Sequence, residues 1–241
     1  MNYKFDWSVL TTEYGLGLID GTWVTLQLVF WSMSFALILG LTFGTLRWMG
    51  GRIIGPICWI YIEFVRNTPA LVQILFWYFS VTFILPRWAI LIIRDIGFEF
   101  AAVVFALSLY HGAFIAEVVR AGLNSIHRGQ YEASRALGLN FYEMMRWVIL
   151  PQAFRIVLPP MTNETVSLIK NTSLALAVGV ADITYHAKYI DAYTFRAVEA
   201  LCAATLIYLV LCLGMSGVGF LASRRLSRNH VRSHELGLGL D

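Results

Sequence analysis

The chain is 241 residues long, 58% hydrophobic and only 14% charged, with a net charge of +3 and a mean hydropathy of +0.66. Soluble domains carry about 25% charged residues, so this is the composition of a membrane protein, and so small a positive charge is a weak nucleic-acid signal. The 16 Phe, 11 Tyr and 8 Trp suit spans flanked by interfacial aromatics.

Met1 to Phe5 holds one Lys and no apolar leader core, so no removable signal peptide is expected. Residues 1–19 are too mixed to cross a membrane. Thr22 to Leu46 is uncharged and long enough for about 30 Å of hydrocarbon. Arg47, Gly50, Gly51 and Arg52 then make a basic turn. Ile53 to Ile62 is apolar but short, and reads as an interfacial segment. Ala70 to Leu85 ends at Pro86 and Arg87, with a short polar connection at Arg94, Asp95 and Glu99. Phe100 to Ala116 is bounded by Glu117 and Arg120.

Ala153 to Ala181 is a long run with Pro159 and Pro160 inside it, so a broken helix is expected there. Asp182 to Glu199 is rich in ionisable groups, and Ala200 to Ser223 is the last apolar run. Arg224, Arg225, Arg228 and Arg232 follow in a tail expected to be disordered. The reading is an all-α integral membrane protein forming one domain over residues 1–241. Its five spans lie near 20–46, 67–86, 98–119, 153–181 and 199–223, with a connecting loop at 130–150. Cys58, Cys202 and Cys212 lie in apolar runs without metal-ligand spacing, so buried free thiols are expected, with no metal site.

Charge sets the orientation. Arg47, Arg52, Arg66, Arg120, Arg128, Arg135, Arg146, Arg155 and the tail arginines fall on one side, against Lys4, Arg87, Arg94, Lys188 and Arg196 on the other. The positive-inside rule then puts the 130–150 loop and the C-terminus in the cytoplasm and the N-terminus outside.

That loop is elaborate for a connector. Glu132, Ala133 and Ser134 followed by Gly138 suggest a short helix stopped at a glycine. Asn140 with Glu143 three residues on has the form of a capping box opening a second helix. Pro151 marks a break before the next apolar run. The product is a compact knob of the kind that a partner protein grips.

Glu132, Ala133, Gly138, Leu150 and Pro151 fall in register with the cytoplasmic loop of bacterial ABC-importer permeases, which this segment resembles. Ser134 and Val148 stand where that pattern has Ala and Ile. The similarity extends to Gly21-Thr22 with Thr25, the run Tyr61 to Pro69, Glu117 to Gly122, Arg128-Gly129-Gln130, Leu150 to Arg155, Pro159 to Glu164 and Lys170 to Ser173. These look like the polar-amino-acid branch, closest to its glutamate/aspartate permeases. Histidine, arginine and glutamine permeases have similar segments.

The resemblance implies a type I importer permease fold and bacterial inner-membrane localisation. Glu132, Ala133, Ser134, Gly138 and Leu139 would couple to a homodimeric ATP-binding subunit that holds ATP and Mg, this chain itself carrying no cofactor. The other implied partners are a second permease subunit (a sister chain or a copy), a periplasmic or extracellular solute-binding protein, an amino-acid substrate and membrane lipid, with no nucleic acid.

Ionisable groups inside a span are costly and mark functional candidates. Glu164 and Lys170 are two such groups, and Asn163, Ser167, Lys170 and Asn171 share one helical stripe. Glu164 suits a substrate ammonium, Lys170 a carboxylate, and Asn163, Ser167 and Asn171 supply hydrogen bonds; the alternative is that Glu164 and Lys170 tie this helix to a neighbour. His111 reads as a hydrogen-bonded packing residue, His186 as facing a solute-binding protein, and Glu63–Arg66 and Glu117–Arg120 as local ion pairs.

The chain has no G-x-x-x-x-G-K-[ST] loop, so ATP hydrolysis by that route belongs to a separate subunit. An ion-driven transporter finds no internal repeat in its favour. An intramembrane enzyme finds only Ser108 and His111, without a supporting group.

Overall fold

The computed structural model describes residues 4–235; the first residues of the Met1 to Phe5 segment and the end of the tail lie outside the described residues. A 3₁₀ turn at Trp7–Thr11 precedes α1 (Glu13–Met49), α2 (Gly51–Arg66), α3 (Ala70–Ile84), α4 (Arg87–Ile96) and α5 (Phe98–Asn124). Then come α6 (Arg128–Ala136), α7 (Phe141–Met144), α8 (Leu150–Asn171), a 3₁₀ stretch at Thr172–Val178, α9 (Ile183–Thr194) and α10 (Ala197–Glu235). The fold is all-α.

The centre is the long contact of α1 with α5. Ser32, Ala36, Gly40 and Gly44 recur every fourth residue on α1, and all are buried. In lipid there is little hydrophobic drive between helices, so close backbone approach through small residues does the work. A methyl on Gly44 would sit 2.6 Å from the Ala116 carbonyl, and one on Gly40 would strike Ile115. These two glycines let the α1 and α5 backbones touch.

Three apolar clusters follow one another along α1. Leu18 joins Val9, Ile183, Ile190 and Ala204 at one end. Leu28 joins Ile74, Leu107 and Leu168 in the middle. Ala36 joins Ile115, Leu123, Met144 and Val157 towards the loop end.

By length and hydropathy, Glu13–Met49, Phe98–Asn124 and Ala197–Arg225 qualify as spans among the described residues. Phe141–Val178 with Ile183–Thr194, bent by 48°, makes one more. The segment expected at 67–86 holds α3, whose 15 residues reach about 22 Å, less than a full crossing.

Several expectations are corrected. Helix α8 runs unbroken through Pro159 and Pro160, and the helical path tightens instead at Thr172–Val178 and turns at Gly179. Neighbouring helices hold the proline-bearing turns in register, which local propensity does not report. Pro151 does not end a helix either. A π turn over Met145–Ile149 joins α7 directly to α8, with the Leu150 amide donating to the Met145 carbonyl. This widening sits where Pro151 withdraws the donor that the Trp147 carbonyl would otherwise use.

The arginine tail is carried on α10 through Glu235 rather than starting as an unstructured segment. Cys58 is buried, whereas Cys202 is exposed and Cys212 half-buried, because α10 packs against the bundle along only part of its surface.

Candidate functional site

Helix α5 is buried on most of its surface, and His111 is wholly enclosed on it. Its ring meets two side chains of α8. His111 Nδ1 lies 3.2 Å from Glu164 Oε2, and Nε2 lies 3.2 Å from Asn171 Nδ2. Glu164 and Asn171 are two helical turns apart on one face of α8, which is why one imidazole spans both. A carboxylate accepts only, so Nδ1 carries the proton; a neutral ring then accepts at Nε2 from the Asn171 amide.

Glu164 Oε1 and Asn171 Oδ1 have no protein hydrogen-bond partner among the described residues and are not sealed from solvent. The contact therefore offers two acceptor oxygens, beside the second N–H of the Asn171 amide.

The stripe expected on α8 divides into two. Glu164 and Asn171 turn to α5, while Asn163 and Lys170 are exposed and Ser167 is half-buried. Lys170 makes no ion pair among the described residues, and no Glu164–Lys170 bridge forms. Glu164 does tie α8 to a neighbouring helix, the alternative role considered for it, while keeping one oxygen free. His111 is hydrogen-bonded as expected, but its place between Glu164 and Asn171 was missed. The available signal was a lone imidazole within an apolar span. Ser108 donates to the Val104 and Ser32 carbonyls at 2.5 and 3.3 Å, so it forms no Ser/His pair with His111.

At the end of the same helical run is the knob. Gly138 (φ 79°) reverses the chain after α6, a conformation in which a Cβ is unfavourable. The capping box is complete: the Glu143 amide donates to Asn140 Oδ1 at 3.0 Å, and the Asn140 amide to Glu143 Oε2 at 2.9 Å. Ser134 is buried and donates to the Gln130 carbonyl at 2.6 Å, bracing α6 from within. Tyr131, Leu139 and Met145 pack on the cluster around Ile126, Met144 and Ile149. Glu132, Ala133, Leu137 and Gly138 remain exposed, and Leu139 is half-buried. One side of the knob is anchored and the other is presented.

Near the knob end of the bundle, Glu117 of α5 takes Arg120 at 2.5 Å from its own helix and Arg47 at 2.5 Å from α1. Arg66 lies 3.8 Å from Glu63 and over the Phe114 ring. The two local pairs were legible; the Arg47 contact was not.

At the opposite end, buried Asp182 caps α9 by accepting from the Tyr185 amide at 2.8 Å, and accepts from the Tyr208 hydroxyl at 2.9 Å. His186 is half-buried and lies against Gly17 and Gly21 of α1. Glu199 is enclosed and accepts from the Asp6 amide at 2.8 Å, tying the N-terminal segment to α10. The Ser8 hydroxyl and amide both donate to Asp6, holding its carboxyl below the usual carboxylate range.

With this geometry in place, the relatives are informative. A glutamine transport system permease of Escherichia coli is 38% identical over 93% of this chain and 97% of its own length. An arginine transport system permease of Bacillus subtilis is 34% identical over 88% and 93%, and a glutamate/aspartate import permease of Escherichia coli 30% over 88% and 90%. A crystal structure of an amino acid ABC transporter with histidines aligns over 92% of this chain and 100% of that chain, with a TM-score of 0.81 and 31% identity. A methionine ABC transporter in an inward-facing conformation shares the fold at a TM-score of 0.71 and 22% identity. The family model matching residues 23–228 describes a binding-protein-dependent transport system inner membrane component. The chain belongs to that family of membrane-embedded permease subunits, whose amino-acid ABC importer members it resembles along nearly its whole length.

Proposed function

We propose that this chain carries L-glutamine across the bacterial cytoplasmic membrane as one permease subunit of an ATP-driven importer. The observation that carries the proposal is the Glu164–His111–Asn171 contact, a polar face with two open acceptor oxygens between α5 and α8. Its free oxygens suit the ammonium of an amino acid. A substrate with no net charge approaches Glu164 without the repulsion that a second carboxylate would bring. The 38% identity to a glutamine permease, against 30% for the glutamate/aspartate one, supports the same cargo.

In this reading Asn163, Ser167 and Lys170 line the path on the exposed side of α8. The exposed face of the knob, from Glu132 to Leu139, seats an ATP-binding subunit that supplies ATP and Mg. A second permease subunit completes the pathway, and a solute-binding protein loads it from outside. The chain crosses five times, with α3 as the short second crossing, the N-terminus outside and the arginine-rich C-terminus in the cytoplasm, following the arginine distribution.

Lys170 favours a second cargo, glutamate or aspartate, because its exposed ammonium suits an additional carboxylate. Uptake of labelled L-glutamine and L-glutamate into proteoliposomes, with ATP inside and binding protein outside, separates the two. Lys170→Met sparing glutamine uptake and abolishing glutamate uptake favours the acidic cargo. Uptake that continues without the ATP-binding subunit rejects the importer reading altogether.

A further inference from the structure

Glu164 and Asn171 reach the polar face as acceptors only because of what lies between them. A free Asn side chain presents a donor and an acceptor with equal ease. Here one N–H of its amide nitrogen faces His111 Nε2 at 3.2 Å, which fixes the side chain with its carbonyl oxygen open to a ligand. The same ring donates from Nδ1 to Glu164 Oε2, which leaves Oε1. His111 is fully enclosed, and its ring is fixed against the α5–α8 seam.

We infer that His111 is a positioning residue that leaves Glu164 Oε1 and the Asn171 carbonyl oxygen open as acceptors and thereby selects the ammonium end of the amino acid. This rests on the reading of the α5–α8 face as the amino-acid site. His111 itself does not touch the substrate. Its ring sets which atom of each neighbour does, and a ligand without an ammonium leaves those oxygens unpaired, which is the costly outcome.

The test measures equilibrium binding to the assembled permease–ATPase complex in nanodiscs, without binding protein. The probes are L-glutamine and glutaramic acid, the same molecule lacking the α-amine. The wild-type complex should prefer L-glutamine by tenfold or more. His111→Phe should cost L-glutamine tenfold or more and leave glutaramic acid unchanged, so that the preference vanishes. His111→Asn keeps an N–H near the Nδ1 position and should retain the preference within threefold; His111→Gln places its amide near Nε2 and should lose it.

Both polar variants preserve a polar core contact, so the comparison survives if the Phe variant fails to assemble. The Glu164→Gln and His111→Phe changes together should be no worse than Glu164→Gln alone, because both act on one contact. Equal behaviour of the Asn and Gln variants, or equal loss for both probes, overturns the role of His111. A wild-type complex without preference for L-glutamine overturns the site reading beneath it instead.

Discussion

Arg47, in the last turn of α1, reaches the Glu117 carboxylate of α5 at 2.5 Å, and Arg120 holds the other side of the same carboxylate. One acid thus clasps two helices at the end of the bundle that carries the knob. Glu117→Gln removes the negative charge that sits between two guanidinium groups. Breaking such a part-buried pair from one side should cost about 1–3 kcal/mol. Arg47→Met should cost less, since Glu117 keeps Arg120. Thermal unfolding of the purified permease complex in detergent measures both, and equal transitions for Glu117→Gln and the unmodified protein would refute this clasp.

Gly44 lies where α1 and α5 touch backbone to backbone. Gly44→Val pushes a branched side chain into the Ala116 carbonyl, and overpacking of this kind costs about 1–3 kcal/mol. The variant should lower the yield of folded permease and its unfolding temperature. Gly217→Ala is the control, because an added methyl there meets nothing within 4 Å.

Gly138 has open space around it but a φ of 79°. Gly138→Val should therefore act through the backbone alone, at about 1–2 kcal/mol. Gly138→Asn, which tolerates the left-handed region, should cost less. In the proposed importer, ATPase stimulation by loaded binding protein should fall severalfold for Val and little for Asn, while membrane insertion stays normal. Equal stimulation in both variants contradicts the docking role of the knob.

Asp182 is enclosed and satisfied by the Tyr185 amide and the Tyr208 hydroxyl. Tyr208→Phe removes one partner and should cost about 1 kcal/mol. Asp182→Ala removes the α9 cap as well and should cost about 1–3 kcal/mol. Hydrogen exchange along Ile183–Thr194 should accelerate more for the alanine variant, and identical exchange rates would count against this capping role.

What was legible in the sequence was local. The Asn140–Glu143 box, the turn at Gly138 and the pairs Glu63–Arg66 and Glu117–Arg120 involve residues within a few positions of one another, where spacing dictates contact. The stripe Asn163, Ser167, Lys170 and Asn171 was legible as a helical face. Its division into a side facing α5 and an exposed side was not, because that depends on where α5 lies. His111 to Glu164 and Asn171, and Arg47 to Glu117, are contacts between separate helices, and no short-range pattern encodes them. Pro151, Pro159 and Pro160 misled for the same reason: their local penalty is real, but a π turn and the surrounding bundle absorb it. The recurrence of Ser32, Ala36, Gly40 and Gly44 at every fourth position is, by contrast, a short-range signal of the α1–α5 contact that the sequence carries.

The join of α7 to α8 has a mechanical consequence. From Phe141 to Asn171 the chain is helical without a gap, about thirty residues or some 45 Å at 1.5 Å per residue. A shove delivered at the Asn140 cap has no hinge in which to dissipate except the widened turn at Met145–Ile149. In the proposed importer it would reach Glu164 and Asn171 as displacement along a pushrod, with the knob and the open acceptor oxygens at the two ends of one helical piece.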